Sequence, residues 1–385
     1  MQKISSRNRL IAVACVFAVI VSLLASEGTL RSAALLSAGI DMPQGAGSLF
    51  AANTGAEPTA RSMQQPGAAA ARPASATNPY RPAGTGNPAH DITATPADIL
   101  ILMEEALEEF AHQVRDGDIV AKTYTNRDAN GVWGKLNVRN TTATQPGRDL
   151  SKDLAAPIGL QIDKSKPAVL IFHTHTTEGF EILDRPWYAA DWNSRTQQRE
   201  RSIVRVGEAM AQMLERAGFV VIHDTTIFDR PYNGAYDRSR IAVQRWLEEH
   251  PSIQVTLDVH RDAIHNNRGE RIKPVAAIQG KQAAQVMIIT GVEEGRVMNL
   301  AGGFPNWEQN LRFACRLHVA AQELHPGLMK PMFFCPRRYN MDLTPFSLLL
   351  EVGADANTLE EAVYSGKLLG EAIARMLEEF VINEK

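Results

Sequence analysis

The sequence is short of cysteine and has no excess of charge of either sign. Only Cys15, Cys315 and Cys335 occur in 385 residues. An odd, sparse set is no disulfide framework, and the lack of any C-x-x-C pair removes the commonest structural zinc sites. Cys315 and Cys335 are therefore expected to be ordinary buried thiols. Cys315 sits mid-helix in FACRLHVA with no base beside it, so it lacks the setting of a nucleophile. The 40 Lys+Arg stand against 43 Asp+Glu, a net charge of −3. No block of like charge occurs, so no nucleic-acid partner is expected. There is no H-E-x-x-H helix, which disfavours the common metallopeptidase arrangement. There is also no internal repeat.

One long apolar run is present, LIAVACVFAVIVSLLA at residues 10–25, preceded by Lys3, Arg7 and Arg9. A basic start before an apolar run marks a secretory signal or an anchor. The Ala25-Ser26-Glu27-Gly28 that follows is a weak cleavage site, so residues 1–30 read as a retained anchor. Basic residues on its N-terminal side place the N-terminus in the cytoplasm and everything after it outside. The expectation is a single-pass protein of the cell membrane with an extracytoplasmic domain. Residues 31–97 read as a low-complexity linker: from 42 onward Ala, Gly, Pro, Ser, Thr and Asn dominate, and such a stretch cannot bury enough apolar surface to offset its ordering entropy. Residues 98–154 read as a helical extension, with Met103, Leu107, Phe110 and Val114 at helical spacing.

From residue 155 to 385 strands and helices alternate. Strands are predicted at 168–172, 219–223, 253–259, 286–290 and 347–352. Helices are predicted at 202–216, 239–250, 306–324 and 358–380. That alternation predicts one α/β domain with a largely parallel sheet flanked by helices.

Three of these strands end in polar residues that an apolar core would not accept. AVLIF runs into His173, His175 and Glu178. VTLDV carries Asp258 and runs into His260, Arg261 and Asp262. SLLLE places Glu351 inside an apolar strand. In a parallel sheet these ends emerge along one edge, where α/β proteins bind ligands. Two imidazoles and a carboxylate with an open fourth position suit a catalytic zinc, which activates water and polarises a carbonyl. A further carboxylate must then carry the proton. Glu351 suits that task, because an unpartnered acid in an apolar strand is expensive. Several choices stay open at this level. His173 rivals His175, since i and i+2 share a face only if the strand continues. Asp258 is an orienting partner or a structural acid, and Arg261 and Asp262 frame the site as an ion pair or form a plain salt bridge. His112, His223, His250, His265, His318 and His325 read as structural or surface residues.

Over roughly residues 165–380 the segments AVLIFHTHTTEGF, YNGAYDRSR, LDVHRDA, NWEQNLRFACRLH, HPGLMK, YNMDLTP and LLLEVGADANTLEEA together resemble the stage II sporulation protein P family. The resemblance implies a membrane-anchored peptidoglycan hydrolase related to zinc-dependent N-acetylmuramoyl-L-alanine amidases, with an endopeptidase activity also credited to the family. It implies His175, Glu178 and His260 as zinc ligands and Glu351 as the acid/base. Met341 departs from the family pattern, where a Gln is expected. Peptidoglycan is the implied substrate, with the membrane and other sporulation wall hydrolases as implied partners. The competing readings are a silent peptidoglycan-binding scaffold of the same fold, or another hydrolase such as a deacetylase.

Overall fold

A computed structural model describes residues 91–294 and 303–382. The predicted membrane helix lies outside the described residues, as does the linker apart from its last residues, 91–97. Among the described residues no helix is long and apolar enough to cross a membrane.

The elements in chain order are α1 (Ala97–Glu109), β1 (Arg115–Lys122), β2 (Gly131–Trp133), β3 (Leu136–Asn140), α2 (Leu150–Ala155), β4 (Pro167–Phe172), β5 (Trp187–Ala189), α3 (Val204–Arg216), β6 (Val220–His223), α4 (Ala235–Glu249), β7 (Val255–Asp262), β8 (Arg271–Ile278), β9 (Lys281–Ala284), β10 (Val286–Gly291), α5 (Trp307–Leu324), β11 (Met332–Cys335), β12 (Ser347–Ala354) and α6 (Leu359–Leu377). The main sheet has the order β2-β3-β11-β10-β12-β7-β4-β6, and a smaller one the order β5-β1-β8-β9.

Strands β12, β7, β4 and β6 run parallel, as the alternating pattern predicts. Strand β10 runs antiparallel to β12 and carries β11 and β3 with it, so the sheet reverses direction at its centre. An apolar run buried on both faces reads the same in either direction, which is why the reversal is invisible in sequence.

The 98–154 segment holds the helices α1 and α2, but it also holds β1, β2 and β3. Strand β1 pairs with β8, and β3 pairs with β11, so this segment is stitched into both sheets. In β1 only Ile119 is buried, and a strand so polar carries no readable alternation. Helix α1 stops at Glu109, so Val114 lies beyond it and is exposed.

One face of the main sheet is covered by α3, α5 and α6. Thr358 and Glu361 form a capping box that starts α6, satisfying two of its free backbone N–H groups. The helix is almost wholly buried because it packs tightly on α3. At Gly370 a Cβ would lie 2.9 Å from the Met210 backbone, and at Gly366 2.8 Å from the Val206 carbonyl. Both thiols are interior: burial pushes Cys335 up to about 12 and Cys315 higher still.

Candidate active site

The ends of β12, β7 and β4 lie side by side. Register pairs Phe172 with Asp258, and His260 with Glu351. Because strand side chains alternate with a period of two, Phe172, Asp258, His260, Leu349 and Glu351 share one face.

His173 follows Phe172 by one residue and turns to the opposite face, under α3. Its Nδ1–H donates to the Val259 carbonyl at 2.8 Å, so its Nε2 accepts from His223 Nε2, 2.9 Å away. The pair abuts Gly207, where a Cβ would come within 2.6 Å of either ring. Burial pushes His173 down to about 4 and His223 well below its ordinary value. Both rings are thus held in the neutral form, with His173 fully buried and His223 partly so. The His173 ring lies on the face opposite to His260, while the His175 ring meets His260 edge-on.

His175 lies in the turn after β4, whose carbonyl accepts from Glu178 N at 3.0 Å. Its ring stacks on Tyr232 at 4.7 Å and meets His260 edge-on at 5.4 Å. Both of its nitrogens are buried with no hydrogen-bond partner; Asp229 Oδ2 stands 4.0 Å from Nδ1. Burial pulls its pKa down to about 3.

His260 places Nδ1 3.4 Å from Glu178 Oε2 and Nε2 2.8 Å from Asp258 Oδ1, the latter a close ionic contact off the line of a hydrogen bond. Burial alone would favour the neutral ring, but the Asp258 and Glu178 carboxylates raise His260 well above its ordinary value. Burial likewise opposes ionisation of Glu178, yet His260 and Arg261 hold it well below the usual carboxylate range. Glu178 is fixed by the Arg261 backbone N–H at 3.0 Å and by Arg195, 3.6 Å away. Arg195 is itself bound to Asp229 at 2.7 Å and lies over the Tyr232 ring.

Glu351 is buried with neither carboxylate oxygen partnered. Burial and then the Asp262 charge push its pKa well above the ordinary range, against a smaller opposing effect of His260. Arg261 and Asp262 do not pair through their side chains. Arg261 donates to the carbonyls of Gly179, Ser194 and Asp262, while Asp262 pairs with the buried Lys330 at 3.2 Å. Asp258 accepts from both the N–H and the hydroxyl of Thr174, pinning the turn that carries His175. Met341 is packed in an apolar cluster with Tyr339 and Leu349.

Among the described residues no group of three or more His, Cys, Asp or Glu side chains is arranged to hold a metal ion. The donor set nevertheless fits zinc in kind. The 3.4 Å between His260 Nδ1 and Glu178 Oε2 is close to the ~3.3 Å edge of a tetrahedron with bonds of about 2.0–2.1 Å. Asp258 at the other ring nitrogen is the orienting partner that zinc-bound histidines usually have. Each orphaned His175 nitrogen is a cost, and a bound cation would remove one of the two. His175 is the donor that stands apart.

Sequence reasoning missed Asp229, Arg195 and Tyr232. Asp229 and Arg195 lie in irregular loops with no period to read. Tyr232 stands in the YNGAYDRSR stretch, whose resemblance pointed there without assigning it a task.

The fold and site define an α/β protein with an acid–imidazole cluster at the shared edge of three parallel strands. The chain belongs to the stage II sporulation protein P (SpoIIP) family, whose family model matches residues 100–374. A curated relative, Stage II sporulation protein P of Bacillus subtilis (strain 168), is 28% identical over 228 residues, 56% of this chain and 52% of the relative. The chain thus matches only about half the length of that relative. Among solved structures it is similar to the N-acetylmuramoyl-L-alanine amidase AmiC2 of Nostoc punctiforme, 12% identical, covering 57% of this chain and 98% of that one, with a TM-score of 0.33. The CwlD amidase of Clostridioides difficile, solved with the GerS lipoprotein, is 11% identical over 55% of this chain and 98% of that one, TM-score 0.34. Scores of that size say nothing about activity.

Proposed function

We propose that this chain is a peptidoglycan hydrolase acting in sporulation, of the zinc-dependent N-acetylmuramoyl-L-alanine amidase type. Residues 10–25 anchor it in the membrane with the α/β domain outside the cytoplasm. The observation that carries the reading is the grouping of His175, Glu178 and His260 beside an unpartnered, buried Glu351 at one sheet edge. Family membership supports it. The presence of all four residues counts against a silent scaffold.

His175, Glu178 and His260 would hold the zinc, which when bound supplies a Lewis acid for the scissile carbonyl and for water. Asp258, 2.8 Å from His260 Nε2, would favour the tautomer that leaves Nδ1 free for the metal. The Arg261 N–H and Arg195 hold the Glu178 carboxylate in position. Glu351 takes the proton of the attacking water and returns it to the departing amine. Its burial lets it keep that proton until the amine leaves. The bond cut is the amide between the lactyl group of the glycan and the first residue of the stem peptide.

The test is digestion of peptidoglycan by the purified full chain, with mass analysis of the fragments. Glycans retaining the bare lactyl group, together with stems that start at a free alanine amine, are expected. A chelator should stop the reaction and added zinc restore it. Full activity in metal-free protein would overturn the metal assignment, and cleavage only within stems would make the enzyme an endopeptidase.

A further inference from the structure

Beside the candidate site lies a second group of four charged side chains, two buried and two partly so, none fully satisfied. Glu181 and Asp355 are each only 2% exposed. Glu181 Oε1, Asp355 Oδ1, Arg185 Nε, and Arg271 Nε and Nη1 are all buried without a hydrogen-bond partner. Arg185 reaches Glu181 Oε2 at 3.2 Å, but Arg271 Nη1 stays 3.8 Å from Asp355 Oδ2, beyond hydrogen-bond reach. Aromatic faces hold the guanidiniums in place. Arg271 lies 3.9 Å from the Tyr188 ring and 4.3 Å from Trp192, and Arg185 lies 4.3 Å from Trp187. Tyr188 reaches Arg271 by crossing Gly117 of β1, where a Cβ would stand 2.3 Å from its hydroxyl. The three aromatics are half-buried and the two acids lie deeper.

We propose that Glu181, Arg185, Arg271 and Asp355 form a subsite for an α-amino-acid head, a carboxylate and an ammonium on one carbon, borne by the stem peptide of the substrate. This rests on the reading of the chain as a peptidoglycan hydrolase. Stranded donors beside stranded acceptors ask for a ligand that carries both signs. A carboxylate would take the free guanidinium N–H groups, and an ammonium would take the free carboxylate oxygens. A simple anion would leave the acids orphaned, and a simple cation would leave the arginines orphaned. Burial pushes Glu181 up to about 7, against the pull of Arg185, and an ammonium delivered beside it would favour its ionised form.

The spacing also fits. Glu181 follows Glu178 by three residues, and the Asp355 N–H donates to the carbonyl of Asp262 at 2.9 Å, two residues beyond His260 on β7. Three extended residues span about 10 Å. A stem peptide that ran from the scissile amide towards this group would cover such a distance in about three residues. A diamino acid at its third position presents an α-amino-acid head on its side chain. A lysine there presents an ammonium alone.

The probe is the free tripeptide L-Ala-γ-D-Glu-diaminopimelate, compared with the same tripeptide ending in lysine. Binding of each to the full chain is measured by calorimetry, which requires no cleavage. The diaminopimelate peptide should bind on the order of ten- to a hundredfold more tightly, the effect of one charge-assisted hydrogen-bond pair. Arg271→Met should bring the ratio towards one. If that variant does not fold, the wild-type comparison with a peptide amidated at the distal carboxylate decides alone, and it too should lose the preference. Equal binding of the three peptides, or no binding of any, overturns the subsite. Absence of digestion with the preference intact would overturn only the hydrolase reading.

Discussion

His173 and His175 stand two residues apart, and their replacement by alanine should have opposite consequences. His173→Ala removes two buried hydrogen bonds, to the Val259 carbonyl at 2.8 Å and to His223 at 2.9 Å. It strands a carbonyl and an imidazole N–H in the interior and opens a void against Gly207. Each stranded group costs about 1–3 kcal/mol, so the metal-free protein should lose roughly 3–5 kcal/mol, a large part of a domain's stability. His175→Ala deletes two nitrogens that have no partner and loses mainly the stack on Tyr232, worth about 1 kcal/mol. In the proposed zinc site its effect is on the metal: affinity should fall by more than the ~100-fold typical of an orienting partner. Urea unfolding of the metal-free variants gives the first quantity, and zinc titration with an indicator gives the second. If folded His173→Ala protein lost zinc while His175→Ala kept it, the assignment from strand parity would be wrong.

Four further outcomes are expected. Gly207→Ala, which in an exposed helix gains about 1 kcal/mol, should here destabilise by about 1–3 kcal/mol, because the new methyl meets the His173–His223 pair at 2.6 Å; a rise in the melting midpoint would count against the packing. Glu351→Gln should lower wall digestion by roughly 10²–10⁴ with zinc retained; loss of zinc would make Glu351 a ligand, and near-normal turnover would pass the proton to another group. Glu181, with its pKa raised by burial from 4.5 to about 7, binds its proton more tightly when folded, so its contribution falls as pH rises from about 4.5 to about 7, by at most roughly 3 kcal/mol. Glu181→Gln should therefore gain on the wild type between pH 5 and pH 8 in urea midpoints, and a gap moving the other way would refute the shift. A protease added outside the cell should remove the α/β domain, and complete protection would contradict the proposed orientation.

The candidate site was legible in outline because its residues break local rules. His260 and Glu351 interrupt apolar strands, and His175 and Glu178 follow closely on another, where a polar group needs a reason. The partners that hold them were not legible, because Asp229, Arg195 and Tyr232 sit in irregular segments and reach His175 or Glu178 only through the folded loops. Arg261 and Asp262, adjacent in sequence, turn to opposite sides of β7 and find different partners. No local pattern states that Lys330 should be one of them.

Alternation of apolar runs with amphipathic helices determined that the domain is α/β, because burial imposes its period within each segment. The polar endings of β4, β7 and β12 likewise marked one edge as the place for chemistry. Only the tertiary structure decided that β10 opposes β12, that β1 and β3 belong to the sheets, and that His173 turns under α3 while His175 turns towards His260. Those outcomes depend on hydrogen-bond register between strands some 80 to 90 residues apart, as where Phe172 meets Asp258 and His260 meets Glu351. A one-residue slip in that register would send every side chain to the other face, and nothing within a single segment records it.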